Sequence, residues 1–225
     1  MEVAQLAPGL WRWSAAHPEW KQGDDWERDV ASYAVVERDT LVLIDPLVPA
    51  DEEERFWSAL DGDAGRHGPP QILLTVFWHA RSTQTILERY EGARAFAPDA
   101  WPDEARERVP SVALFPLGAT LPGGIEARGT EHRGEALLWI PAHNALAAGD
   151  VLLDTRDGGV RLLPDSWLRP GVTPVLLRDG LRPLLDLPVD ALLLTHGEAI
   201  LDGAHAKLEA ALADGSTAPT STGDG

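Results

Sequence analysis

The sequence lacks cysteine altogether and has very little lysine. No cysteine occurs among the 225 residues, which excludes disulfides, thiolate catalysis and cysteine-type zinc sites. Any metal ion would therefore be held by histidine and carboxylate side chains. Lysine occurs only at Lys21 and Lys207, and the formal net charge is -17. We expect no nucleic-acid or anionic-membrane partner, because too few cations are present to neutralise phosphates.

Long apolar runs and an export signal are missing as well. The sequence has no stretch of about eighteen apolar residues that could span a bilayer. Residues 1–10 lack the basic start and the apolar segment of a secretory signal. We therefore expect a cytoplasmic location, and a chain of 225 residues is long enough to bury a sizeable core.

Strand-like and helix-like segments alternate along the chain. The β-rich stretches 9–15 and 31–46 predict strands, and 51–61 predicts a helix that is followed by a Gly/Pro loop at 62–70. Four β-rich pieces between residues 112 and 153, separated by Gly and Pro, predict a second and mostly antiparallel sheet. Such an arrangement suits a layered α/β fold.

The composition changes toward the carboxyl terminus. Residues 155–188 are rich in proline and predict a loop-rich stretch, whereas residues 215–225 are rich in Gly, Ser and Thr and predict a disordered tail. No internal repeat and no linker divides the rest of the chain. We therefore expect a single domain over residues 1–214.

The stretch 72–90 carries the most informative local pattern. An apolar run from Ile72 to Val76 leads into the polar turn of residues 77–82, and a helical pattern follows. A strand that runs into a turn and then a helix places side chains at the carboxyl edge of a sheet, where α/β proteins build their sites. This turn is therefore the first place to search for functional residues.

The turn resembles the first metal-binding motif of the metallo-β-lactamase superfamily, a Thr followed by His-x-His-x-Asp-His. Thr75 and His79 match this motif. Phe77, Arg81 and Ser82 stand where the superfamily has His, Asp and His. The resemblance implies an α/β fold of a defined kind, a four-layer αββα sandwich of two mixed β-sheets.

Later motifs extend the resemblance over most of the chain. Of the seven ligand positions of the superfamily, four are retained, at His79, His132, Asp150 and His196. The strand that ends at Asp45 resembles the superfamily element whose Asp supports the site loop from beneath. A plain strand-ending turn at Asp45 is the alternative interpretation.

The ligands that are lost point to one metal ion at most. His79, His132 and the bridging Asp150 would hold one ion, whereas the second site keeps only Asp150 and His196. A guanidinium at Arg81, about 5 Å from a dication, would repel it by roughly 6 kcal/mol at an effective dielectric of about 20. We predict that Arg81 replaces the second cation and donates a charge-assisted hydrogen bond to Asp150.

The retained residues are compatible with three functions. One zinc ion could polarise a water for hydrolysis of a small ester, thioester or related substrate, with Asp150 and His196 as catalytic residues. Two His and one carboxylate also match mononuclear non-haem iron, as in the superfamily's persulfide dioxygenases. Alternatively no metal binds, and the chain is a pseudoenzyme that binds a small molecule or has a structural role.

Aromatic residues are expected to border the site. Phe77 and Trp78 follow the central strand, and Trp20 and Trp26 lie in a polar loop between the first predicted strands. We predict that these four side chains line an apolar pocket for a small-molecule ligand, with packing inside the core as the alternative. His17 would reach the mouth of this pocket if it is not a plain surface residue.

Overall fold

Two β-sheets pack face to face, and α-helices cover the outer face of each. The computed structural model describes residues 2–129 and 134–213. His132 and the predicted tail at 215–225 lie outside these described residues.

Within the described residues, the first sheet has seven strands that follow one another in chain order. They are β1 (Glu2–Ala7), β2 (Leu10–Ala16), β3 (Asp29–Glu37), β4 (Thr40–Ile44), β5 (Gln71–Leu73), β6 (Arg94–Pro98) and β7 (Ala113–Phe115). Strands β1 to β4 pair antiparallel, and β4 to β7 pair parallel. The carboxyl ends of the parallel strands therefore meet at one edge of this sheet.

The second sheet contains β8 (Glu126–Arg128), β9 (Leu137–Ile140), β10 (Ala145–Ala147) and β13 (Ala191–Leu193). Between β10 and β13 in sequence, β11 (Leu152–Asp154) and β12 (Val160–Leu162) form a separate hairpin. Strands β8, β9 and β10 pair antiparallel, and β10 pairs parallel with β13. The prediction that all four pieces between 112 and 153 join this sheet is wrong. The first of them is β7, which pairs with β6 in the first sheet.

Helices α1 (Glu53–His67), α2 (Thr83–Arg89) and α3 (Pro102–Arg108) follow strands of the first sheet, and α4 (Pro174–Leu181) and α5 (Ala204–Leu212) flank β13 in sequence. The loop predicted at 62–70 is mostly wrong, because α1 continues to His67. Ala64 packs against the core beneath α1, and this burial outweighs the cost of Gly62 and Gly65, roughly 1 kcal/mol each. No helix in the described part of the chain is long and apolar enough to cross a bilayer.

Alternating side chains of the strands divide the core into layers. Val42 and Ile44 of β4 point between the two sheets, whereas Leu41 and Leu43 pack under helices of the first sheet. On the opposite side, α4 and α5 cover the second sheet through apolar residues such as Leu181. This alternation is what a period of two along a strand produces. The predicted αββα sandwich is confirmed.

Candidate functional site

Buried His79 lies at the centre of the site, directly beyond β5. A 3₁₀ turn, Phe77–Ala80, carries it to the edge of the sheet, where 4% of its surface is exposed. Its Nδ1 lies 3.0 Å from Oδ2 of Asp45, and its Nε2 lies 3.1 Å from Oδ1 of Asp150. Both ring nitrogens therefore face a carboxylate.

Asp45 anchors this turn from below. It follows β4 with a positive φ of 47°, a conformation that non-glycine residues adopt rarely. Its Oδ1 accepts a hydrogen bond from the backbone N–H of Thr75 at 2.9 Å, and its Oδ2 accepts one from the Thr75 hydroxyl at 2.6 Å. The side chain thus occupies the position beneath the loop that the resemblance gives it.

Asp150 connects the two sheets at the site. It follows β10, and its Oδ1 lies 3.4 Å from Nε2 of His196, the residue that follows β13. Its Oδ2 accepts a hydrogen bond from the Trp78 indole at 2.9 Å. Three of the four predicted ligands, His79, Asp150 and His196, therefore come together around one carboxylate.

The charges of this cluster favour a protonated imidazole. Burial acts to lower the pKa of His79, but the carboxylates of Asp150 and Asp45 outweigh it and raise the pKa to about 9. Burial acts to raise the pKa of Asp150, but His79 and His196 hold it well below its usual range. At neutral pH an imidazolium therefore lies between two carboxylates.

Arg81 does not make the hydrogen bond predicted for it. Its Nη1 donates to the backbone carbonyls of Ala31, at 3.1 Å, and Asp45, at 2.8 Å. Among the described residues it forms no ion pair with Asp150. The backbone φ of 38° at Arg81 directs the side chain toward these carbonyls at the ends of β3 and β4. The predicted pairing is therefore wrong, and the cation that contacts Asp150 is His79.

A cavity of about 260 Å³ opens over these side chains. Trp26 and Trp78 line it as predicted, and His17 also lines it. Phe77 and Trp20 are absent from its lining, so the prediction for these two is wrong. Phe77 packs against the core of the first sheet, and the Trp20 indole donates to the Trp26 carbonyl at 2.9 Å.

Two residues of the site escaped the sequence analysis. Trp167 lines the cavity from the stretch that was predicted as loop, with its ring 5.8 Å from that of His196. Glu135, only 2% exposed, accepts a hydrogen bond from the backbone N–H of Asp150 at 2.8 Å. The sequence signal for each is weak: Glu135 is an acidic residue at the start of an apolar strand, and Trp167 is one Trp in a Pro-rich stretch.

The described part of this site does not fit a resident metal ion. Within residues 2–129 and 134–213, no group of three or more His, Cys, Asp or Glu is arranged to hold one. A metal ligand must be a neutral imidazole, whereas the carboxylates of Asp150 and Asp45 outweigh burial and raise the pKa of His79 to about 9. The remaining predicted ligand, His132, lies outside the described residues.

The turn after β13 leaves no space for a side chain. Gly197 has a φ of 98°, and a Cβ added there would lie 2.2 Å from the Cβ of Asp154. We expect Gly197→Ala to lower the free energy of unfolding by roughly 1–3 kcal/mol and to displace His196. Gly171→Ala is the matched control for chemical denaturation, because φ is 89° and no atom lies within 4 Å. Equal losses in both variants would show that the contact with Asp154 costs nothing.

Comparison with known proteins identifies the fold through structure and not through sequence. No protein-family model matches the chain, and no curated protein matches it. A metallo-β-lactamase family protein from Thermus thermophilus is similar with a TM-score of 0.59 and 19% identity, over 92% of this chain and 79% of that one. A metallo-β-lactamase from Pontibacter korlensis is similar with a TM-score of 0.65 and 13% identity, over 94% and 98%.

A metal-soaked flavodiiron core from Synechocystis is also similar, with a TM-score of 0.64 and 13% identity. The similarity covers 93% of this chain and 59% of that one. The chain therefore has the metallo-β-lactamase fold.

Proposed function

We propose that this chain, which has the metallo-β-lactamase fold, binds a small molecule in the cavity at Asp150 without a resident metal ion. One observation carries the proposal. Both ring nitrogens of buried His79 face carboxylates, at 3.0 and 3.1 Å. The imidazolium supplies the positive charge beside Asp150 that a bound ion would otherwise supply.

The balance of buried charge supports this proposal. Asp45 and Asp150 contribute two negative charges, and protonated His79 contributes a positive charge between them. Buried charges are tolerated when they are paired and hydrogen-bonded. A positive charge therefore already lies between the two carboxylates without a divalent cation.

The size and lining of the cavity suit a small ligand. Its volume of about 260 Å³ lies just below the range of roughly 300–1,000 Å³ that drug-sized ligands occupy. Trp26, Trp78 and Trp167 provide flat apolar surfaces, and charged groups lie beside them. Most residues of the lining are ionisable, and polar groups in a cavity fix the orientation of a small ligand.

A second candidate is a hydrolase with one metal ion. Oδ1 of Asp150 is buried, faces Nε2 of both His79 and His196, and has no well-aligned hydrogen bond. Zinc held there with help from His132 would supply a Lewis acid for an ester or thioester substrate, and iron would suit oxygen chemistry. Either ion requires His79 to lose its proton first.

Metal content separates the two candidates. In protein purified without chelator or a His-tag, we expect far less than one zinc or iron per chain by mass spectrometry, and no change in thermal midpoint on adding EDTA. We expect this result because the proton on His79 competes with any metal ion for the ring nitrogen. About one ion per chain, lost in Asp150→Ala and kept in the surface variant Asp61→Ala, would instead support the hydrolase.

A further inference from the structure

Arg81 is a partly buried cation whose hydrogen bonds use one nitrogen only. Nη1 donates to two backbone carbonyls, and Nε is buried without a partner. Within the described residues no carboxylate oxygen lies within 4 Å of this guanidinium. In the described part of the chain Nη2 makes no hydrogen bond and, unlike Nε, is not fully buried. Because Arg81 lines the cavity, Nη2 is the donor that a ligand could meet. Buried guanidinium groups are rarely left without an anion.

Carboxylates near the cavity are not available to pair with Arg81. Asp45 is engaged by Thr75 and His79, and Asp150 is engaged by Trp78 and His79. Glu19 and Asp25, the remaining acids of the lining, are exposed, where water and salt screen their charge. An anionic ligand would therefore meet Arg81 without displacing a protein carboxylate.

We propose that the cavity selects a small organic carboxylate, with its carboxylate on Nη2 of Arg81 and an aromatic or apolar body against Trp26, Trp78 and Trp167. A single negative charge matches a single open guanidinium. A phosphate dianion would require a second unpaired cation. Protonated His79 already lies between two carboxylates, and Arg108, the other arginine of the lining, is exposed. The inference rests on the proposed function because it uses the same cavity, but the two can fail separately.

Binding by ligands of equal shape and different charge tests the inference on the wild-type chain. Isothermal titration calorimetry compares phenylacetate with neutral phenylacetamide, cationic phenethylamine and phenyl phosphate. We expect saturable binding of phenylacetate and at least roughly tenfold weaker binding of phenylacetamide, because the charge-assisted hydrogen bond is lost. Equal binding of phenylacetate and phenylacetamide would overturn the inference. So would tighter binding of phenyl phosphate, or no saturable binding of phenylacetate at millimolar concentration.

A matched pair of arginine variants tests whether Arg81 causes the preference for a carboxylate. In Arg81→Met, the affinity for phenylacetate should fall to that for phenylacetamide. Arg178→Met is the control, because Arg178 also has a buried Nε without a partner but lies on α4 and outside the cavity. A carboxylate preference that survives in Arg81→Met would overturn the inference. If this variant does not fold, the comparison of ligands on the wild-type chain still decides.

Different results would contradict the proposed function and this inference. A stoichiometric metal together with a carboxylate preference that depends on Arg81 would overturn the proposed function and keep this inference. A metal-free chain that binds phenylacetamide as tightly as phenylacetate would overturn this inference and keep the proposed function.

Discussion

Asp45→Ala is expected to lower the free energy of unfolding by about 3–5 kcal/mol, the usual cost of removing one partner of a buried ion pair. Asp45 is 2% exposed and accepts two hydrogen bonds from Thr75 while it faces Nδ1 of His79. Its removal leaves a buried N–H, a hydroxyl and an imidazolium without their acceptor. Urea denaturation followed by tryptophan fluorescence measures the loss.

Two further substitutions show whether burial causes this loss. Asp61→Ala removes an exposed carboxylate that pairs with Arg89 and Tyr90. Exposed ion pairs contribute little, so this variant should lose much less free energy of unfolding than Asp45→Ala. Asp45→Asn keeps one carbonyl acceptor, so its loss should lie between those of the two alanine variants. If Asp45→Ala and Asp61→Ala lose the same free energy, then Asp45 does not support the site as described.

The resemblance to the superfamily motifs selected the site residues in the sequence, and each of them comes shortly after a strand. Asp45 follows β4, Asp150 follows β10 and His196 follows β13. Strand ends of neighbouring parallel strands lie at one edge, so residues far apart in sequence can be placed together without coordinates. A local pattern also located α2, which follows the turn of residues 77–82 as predicted.

Other features depend on tertiary contacts that no local pattern reveals. The β7 segment has the composition of any short strand, and only its pairing with β6 assigns it to the first sheet. The direction of the Arg81 side chain depends on a backbone φ of 38°, whereas its ligand position in the superfamily motif predicted a hydrogen bond to Asp150. Trp167 reaches the cavity only because of the path that its loop takes. Loops are where sequence patterns carry the least information.

The protein is expected to lose stability as the pH rises from 6.5 to about 9. The pKa of His79 is about 9 in the folded chain, above its ordinary value of 6.5. The folded state therefore holds this proton more tightly than the unfolded state, and the resulting stability is fully present below pH 6.5. This stabilisation, on the order of 3 kcal/mol, is lost as the pH rises through 9. Asp150, with a lowered pKa, contributes in the opposite sense and only in the acid range.

The sign of this slope distinguishes the two candidate functions. Urea denaturation between pH 6.5 and 9 should show the decline in the wild-type chain and a nearly flat profile in His79→Gln. His205→Gln should behave as wild type, because the His205 ring contacts the Leu185 carbonyl and is not one of the groups that shift the pKa of His79. A resident metal would reverse the trend. Ligating imidazoles must be deprotonated, so metal binding and its stabilisation increase with pH over the same range. Rising stability toward pH 9 would therefore contradict the metal-free proposal and favour the hydrolase.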